Sequence, residues 1–333
     1  MRIGFLGVGR IGHSHAEVVH RHPDVEDLVL ADATSGRADA LAAQLGCRVA
    51  ADVDAVIAEG VDALVIASAT HTHADLIVAG ARARLPVFCE KPVALDVAET
   101  RRVADEVSRA GVEVQIGFQR RYDAGYRAAR QALRDGRIGE LHRVHVVTAD
   151  EKPPHPSYIP TSGGLFRDCH VHDFDILRWV TGSEVVDVTA VGANRGADFF
   201  GEGGDIDNAA AVLRLDDDTL VTLQGSRYNG AGHDVRMELA GTRATFVVGL
   251  SDEAPLTSAE EGVTFPAGQP WTDFWQRFTP AYAAEMNAFV DVVKGMTPSP
   301  CTVEDALEAL LVAEAADLSL REGRWVEVAE VAK

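Results

Sequence analysis

At 333 residues the chain is long enough for two ordinary domains, and 47% hydrophobic with 25% charged residues is a soluble globular composition. Thirty-one Lys and Arg against fifty-one Asp and Glu leave a formal charge of -20, so neither nucleic acid nor an anionic membrane surface is an expected partner. The four cysteines, Cys47, Cys89, Cys169 and Cys301, stand far apart with no Cys-x-x-Cys pair. With no apolar run of about twenty residues and no signal-peptide pattern, the expectation is a cytoplasmic protein with reduced thiols.

In chain order, short apolar runs at 3–6, 28–31, 63–67, 86–89 and 113–116 alternate with amphipathic helical stretches at 14–21, 37–45, 74–83 and 97–110. Strands separated by helices of this length predict right-handed βαβ crossovers and a parallel, doubly wound Rossmann sheet. A further helix at 125–135 stops at Gly136. Strand-like runs at 141–149, 185–192, 208–215, 220–226, 235–239 and 244–248 follow, interrupted by a helix over 166–180. Turns such as Asp216-Asp217-Asp218 between them predict a large, mostly antiparallel open sheet. The stretch 281–322 reads as two helices, the second capped by Thr302. The expected fold is α/β, with residues 1–119 as the parallel-sheet domain and 120–333 as a second domain built on the open sheet.

The run Gly7-Val8-Gly9-Arg10-Ile11-Gly12 lies between a predicted strand and a predicted helix, and a second strand ends at Asp32, about 20 residues past Gly12. Gly7 permits the tight turn, Gly9 lets backbone approach a pyrophosphate, and Gly12 lets the helix pack close to the strand. The amides of residues 9–12 then sit at a helix N-terminus, which favours an anion. Asp32 is expected to accept from the adenosine ribose hydroxyls and to repel a 2′-phosphate, favouring NAD over NADP. Arg37, the nearby basic residue, is expected a turn into the following helix. Thr70, His71 and His73 follow a strand end. They either reach cofactor or substrate or are ordinary polar loop residues, and Thr70 and His73 are assigned to the cofactor.

Three stretches carry side chains suited to hydride chemistry. Glu90-Lys91-Pro92 ends a parallel strand, the edge beyond which open α/β sheets bind ligands, so Lys91 is expected to hold a substrate hydroxyl. In the stretch 163–175, Asp168 and His172 are four apart and share one helix face, so the carboxylate orients a general base while His170 faces elsewhere. Asp, Cys and two His crowd this stretch, but residues two apart do not converge on a helix, and no metal is expected. Gly117 to Asp123 lies at the predicted junction, where Arg120 serves a polyol or the cofactor, or an arginine there forms a structural ion pair such as Arg121 with Asp123.

Together these stretches resemble the Gfo/Idh/MocA (glucose–fructose oxidoreductase, inositol dehydrogenase, rhizopine catabolism) oxidoreductase family. The resemblance rests on the glycine fingerprint running on to His15-Ala16, Glu90-Lys91-Pro92, Gly163-Gly164 through His172-Asp173-Phe174-Asp175, and a tail with Thr302, Asp305-Ala306 and Gly323-Arg324. Residues 88–92 and 117–126 are most similar to the inositol 2-dehydrogenases within it, with Gln119 where methionine is common there. The resemblance implies Lys91, Asp168 and His172 as catalytic set, and Glu90 and Lys91 beside NAD. It also implies dimers or tetramers formed through the second sheet. Arg120, His155 and Tyr228 are expected to read further hydroxyls of a cyclic polyol or sugar. Oxidation of a ring carbinol is the leading expectation. A sugar dehydrogenase or ketosugar reductase, an enzyme that cycles a tightly held NAD, and a non-catalytic NAD-binding regulatory protein are the alternatives.

Overall fold

A computed structural model describes residues 1–332. The chain forms two compact units: Met1–Gln119 with Pro280–Glu308, and Arg120–Thr279 with the chain from Ala309 onward.

The first unit is built on β1 (Arg2–Leu6), β2 (Asp27–Ala31), β3 (Arg48–Val49), β4 (Ala63–Ile66), β5 (Val87–Glu90) and β6 (Val114–Gly117). They form one parallel sheet in the order β3-β2-β1-β4-β5-β6. The order reverses at β1, the place where doubly wound sheets open a ligand crevice. β4, β5 and β6 are buried along their whole length, which is why they read as unbroken apolar runs rather than alternating ones. The crossover helices are α1 (Arg10–His20), α2 (Arg37–Leu45), α3 (Val53–Ala58), α4 (Thr70–Arg82) and α5 (Val97–Ala110). Asp52 and Asp96 cap α3 and α5 by accepting from the amides of Ala55 and Glu99. The sequence reading missed β3 and α3, because β3 is two exposed residues and α3 buries only Val56.

The second unit holds α6 (Ala124–Arg134), α7 (Ile159–Ser162), α8 (Val171–Thr181) and α9 (Phe199–Glu202). Its strands are β7 (Leu141–Ala149), β8 (Val185–Ala193), β9 (Asn208–Leu215), β10 (Leu220–Ser226), β11 (Asp234–Gly241), β12 (Thr245–Val248) and β13 (Val326–Glu327). The sheet order is β12-β11-β7-β10-β9-β8-β13, antiparallel throughout except for the parallel pair β7 and β10. β9 and β10 alternate buried and exposed residues, as a sheet with one packed face requires. The helix expected over 166–180 is not uniform: Phe166–His170 is a π-helical turn, and α8 follows it.

Three helices close the chain: α10 (Phe274–Val293), α11 (Val303–Glu322) and α12 (Val328–Val331). α10 starts earlier than expected and runs through Pro280, a residue that usually begins or kinks a helix. Thr302 Oγ1 accepts from the amide of Asp305, and Asp305 Oδ2 accepts from the amide of Thr302, a reciprocal cap at the start of α11. The segment 280–308 belongs with the first unit rather than with the single block 120–333 read from the sequence. Met286, Phe289 and Val292 enter one core cluster with Ile3, Phe5, Leu28 and Phe88, an apolar seal worth roughly 1.5–3 kcal/mol per large side chain.

Candidate active site

The glycine fingerprint fills the turn between β1 and α1. Gly7 has φ +92°, and a Cβ there would stand 2.5 Å from the backbone of Ser68. A Cβ on Gly12 would stand 2.2 Å from the carbonyl oxygen of Gly7. Both glycines are therefore demanded by the protein's own backbone. Gly9 is different: a Cβ there meets only Arg37 Nη1, at 3.8 Å. It is the N-cap of α1, with no side chain bonded to the cap and no acid in the first turn. That open cradle of helix-terminal amides fits a pyrophosphate. Arg10 and Ile11 open the helix, Arg10 exposed and Ile11 half-buried.

Asp32, just past β2, is anchored by backbone. Its Oδ2 accepts from Val8 N at 2.8 Å and its Oδ1 from Thr34 N at 2.7 Å. Burial pushes its pKa up, but the amides of Val8 and Thr34, with the Arg37 charge, outweigh this and hold it below the usual carboxylate range. Arg37 is the first residue of α2, not a turn into it, and its Nη1 lies 3.5 Å from Asp32.

Thr70 is the first residue of α4 and is half-buried. His73 is buried, with Nδ1 2.8 Å from Pro92 O and Nε2 3.2 Å from Ser68 O. Burial lowers its pKa against the opposing pull of the two carbonyls. In this position it ties the loop after β4 to the one after β5. His71 is exposed.

Lys91 directly follows β5 and is half-buried. Its neighbour Glu90 is buried and lies 2.7 Å from His15 Nε2 of α1. Glu285 of α10 completes a buried group in which the ligand-type atoms lie within 4.8 Å of one another. Two ligands of one tetrahedral ion with bonds of 2.0–2.2 Å sit roughly 3.3 Å apart or more. The His15–Glu90 contact is shorter and is a direct hydrogen bond, which joins the helix after the fingerprint to the strand end that carries Lys91.

In the second unit the π turn places Asp168, half-buried, and α8 begins with Val171 and His172. Single π turns recur at functional sites because they re-aim side chains within a helix. Asp168 Oδ1 accepts from Tyr158 OH at 2.8 Å and Oδ2 from Arg227 Nη2 at 2.7 Å. His170 points into the core, where its Nδ1 lies 2.7 Å from Asp173 Oδ2.

Arg120 is 4% exposed and donates to Asp173 and, at 3.2 Å, to Thr148 Oγ1. Thr148 Oγ1 in turn donates to Asp173 at 2.8 Å. Burial lowers Arg120's pKa, but the Asp173 charge overrides it and raises the value. For Asp173 burial pushes up, and Arg120, His170 and Thr148 bring it below the ordinary range. Arg121 pairs with Asp175, through Nε at 2.9 Å and Nη2 at 2.5 Å, and not with Asp123. Asp123 caps α6 and pairs with Arg277 at 2.6 Å. The expected structural ion pair is thus real but has a partner 54 residues away, invisible to local spacing.

His155 is exposed and accepts from the Ser157 amide at 3.3 Å, capping a short turn. Tyr228 is half-buried, its hydroxyl accepting from Ala197 N at 3.2 Å and its ring edge-on to Phe200. The sequence reading did not single out Arg227, which is 59 residues from the carboxylate it holds, nor Asp173 as a hub. The one available signal for Arg227 was a lone basic residue beside Tyr228 at the end of a strand.

The reversal of strand order at β1, the amide cradle at Gly9 and the anchored Asp32 are the features of a dinucleotide-binding Rossmann domain, and the family match makes the chain an NAD-dependent oxidoreductase. Residues 1–118 match the family model for the oxidoreductase family with NAD-binding Rossmann fold, and residues 126–247 match that for the GFO/IDH/MocA C-terminal domain. The chain belongs to the Gfo/Idh/MocA family. It is 38% identical to the inositol 2-dehydrogenase of Rhizobium meliloti (strain 1021) and 35% identical to the myo-inositol 2-dehydrogenase of Thermotoga maritima, over 99% of both chains in each case. It is also similar to the crystal structure of scyllo-inositol dehydrogenase from Lactobacillus casei with bound NAD(H) and scyllo-inositol. There the TM-score is 0.89 at 27% identity, covering 99% of each chain.

Proposed function

We propose that this enzyme oxidises a ring secondary alcohol of a cyclic polyol, an inositol, to the ketone. The observation that carries the reading is full-length likeness to inositol 2-dehydrogenases. NAD, when bound, supplies the hydride acceptor at nicotinamide C4. Gly7, Gly9, Arg10, Ile11 and Gly12 hold its pyrophosphate at the start of α1, Asp32 accepts from the ribose hydroxyls, and Thr70, His73, Glu90 and Lys91 flank it. The Lys91 ammonium donates to the substrate hydroxyl and stabilises the oxygen as negative charge builds there. His172 takes the hydroxyl proton. Asp168, four residues before His172, tunes and orients that histidine.

The substrate's other hydroxyls are read by polar side chains, for which we propose His155 and Tyr228, both with exposed or half-buried polar edges. Arg120 contributes from behind, since its guanidinium is committed to Asp173 and Thr148. An apolar alcohol would leave such donors unpaired at about 1–3 kcal/mol each. No described helix is long and apolar enough to cross a membrane. We further propose a cytoplasmic homo-oligomer, dimer or tetramer. Support comes from Val191 and Leu220, 66% and 54% exposed on strands of the second sheet. We take the chain as a substrate domain from 120 to 333 with a return segment, 280–308, serving the NAD domain.

The test is NADH formation across inositol isomers, aldoses and ketosugars with His172→Ala beside the wild type. The variant is expected to lose about two to four orders of magnitude in kcat while NAD affinity holds. Near-normal turnover in it overturns the assignment of the base. Preference for an aldose would move the substrate class.

A further inference from the structure

Arg227 follows β10 directly, and its side chain is 3% exposed. Its two terminal nitrogens work in different directions. Nη2 donates to Asp168 Oδ2 at 2.7 Å, while Nη1 lies 2.7 Å from Cys169 Sγ and 3.6 Å from Asp150 Oδ2. The second oxygen of Asp168 is taken by Tyr158 OH at 2.8 Å. Three separate parts of the second unit therefore converge on one carboxylate: the π turn that carries it, the loop before α7, and the strand end after β10.

A carboxylate gripped at both oxygens by donors, one of them charged, loses its freedom to rotate and its capacity to take a proton. We propose that Arg227 and Tyr158 are positioning residues that clamp Asp168 as a fixed, permanently ionised acceptor, leaving His172 to take the substrate proton alone. The proposal rests on the reading of His172 as base. Tyr158 is 43% exposed overall, but partial burial of its phenol and the charge of Asp168 both raise the phenol pKa, so Tyr158 remains an O–H donor throughout the working pH range. The groups facing Arg227 are Asp168, Cys169 and Asp150, and His233 Nδ1 lies 3.2 Å from Asp150 on the far side. Lysine would keep the charge but not the fork, because one ammonium cannot point at Asp168 and at Cys169 with Asp150 in the planar geometry seen here.

The experiment uses full-length protein labelled with 13C at aspartate carboxyls, with Asp168→Asn to assign the signal. Asp168 in wild type, R227Q, R227K and Y158F is titrated between pH 4 and 7. The wild-type carboxyl is expected to stay ionised across the range, and loss of one charge-assisted bond in R227Q is expected to raise its midpoint by about one to two pH units. Y158F should move it less, and R227K should restore only part of the wild-type behaviour. On the reading of His172 as base, kcat/KM for the polyol falls about 10- to 100-fold in R227Q and its acid limb moves to higher pH, with NAD affinity unchanged. Folded R227Q and Y158F that titrate like the wild type overturn the clamp. A shifted Asp168 midpoint with no polyol turnover even in the wild type supports the clamp and overturns the catalytic reading instead.

Discussion

Replacing Asp173 by asparagine tests the buried hub next to His172. Asp173 accepts from Arg120, from Thr148 Oγ1 at 2.8 Å and from His170 at 2.7 Å, and it is 1% exposed. Asparagine keeps the volume and removes the charge, leaving the Arg120 guanidinium, itself 4% exposed, without its counter-ion. Breaking a buried pair in this way costs about 3–5 kcal/mol. At roughly 2–4 °C per kcal/mol for a domain of 150–250 residues, the midpoint of the second unit falls by about 6–20 °C. The sign with pH follows from the depressed folded-state pKa of Asp173. Its stabilisation is fully present above the unfolded carboxylate value of about 3.9 and is lost as pH falls through the lower folded value. Wild type should therefore lose stability below about pH 4 more steeply than Asp173→Asn. Thermal and urea denaturation followed by tryptophan fluorescence at pH 7, and at pH values from about 4 down to about 2, measure both effects. A variant within about 1 kcal/mol of wild type at pH 7 refutes the reasoning, because the hub would then not hold Arg120.

Two further substitutions follow from close approaches in the fold. A Cβ on Gly225 would stand 1.9 Å from His170 Nε2, so Gly225→Ala is expected to displace His170 and cost about 1–3 kcal/mol or more. Recovery of soluble protein with an unchanged melting midpoint would contradict this. For Asp32→Ser, Arg37 already stands beside the vacated position, so the ratio of kcat/KM with NADP to that with NAD is expected to rise at least about tenfold. An unchanged ratio in steady-state assays would mean that Arg37 does not face a 2′-phosphate.

The elements that carry strong periodicity were legible in the sequence. The parallel sheet showed as apolar runs spaced by helices, and the glycine run with an acid at the next strand end pointed to a dinucleotide, although Gly7 and Gly12 are required by the turn's own backbone and only Gly9 leaves the amides open. The pairing of charges was not legible. Arg121 finds Asp175, and Arg227 finds Asp168, across 54 and 59 residues, distances over which sequence offers no period to read. The π turn was hidden too, since Phe166–His170 differs from an α-turn by hydrogen-bond register and not by composition. Arg37 was placed a turn too deep: Gly36, with φ +78°, is the N-cap, so α2 starts at Arg37 itself, as the apolar spacing of 37–45 had indicated.

The return of 280–308 to the first unit has a consequence for how the protein is made. Met286, Phe289 and Val292 close a core begun by Ile3 and Phe5. On the ribosome, at about 5–20 residues per second, that core cannot be completed until nearly all of the second unit has emerged. The NAD domain is thus first to be written and among the last to be finished. During that interval Ile3, Leu28 and Phe88 are without the side chains that complete their core, so the NAD domain cannot finish folding as it appears. For the same reason an evolutionary exchange of the NAD domain cannot be made by a single cut after Gln119; it must carry the distant helix with it.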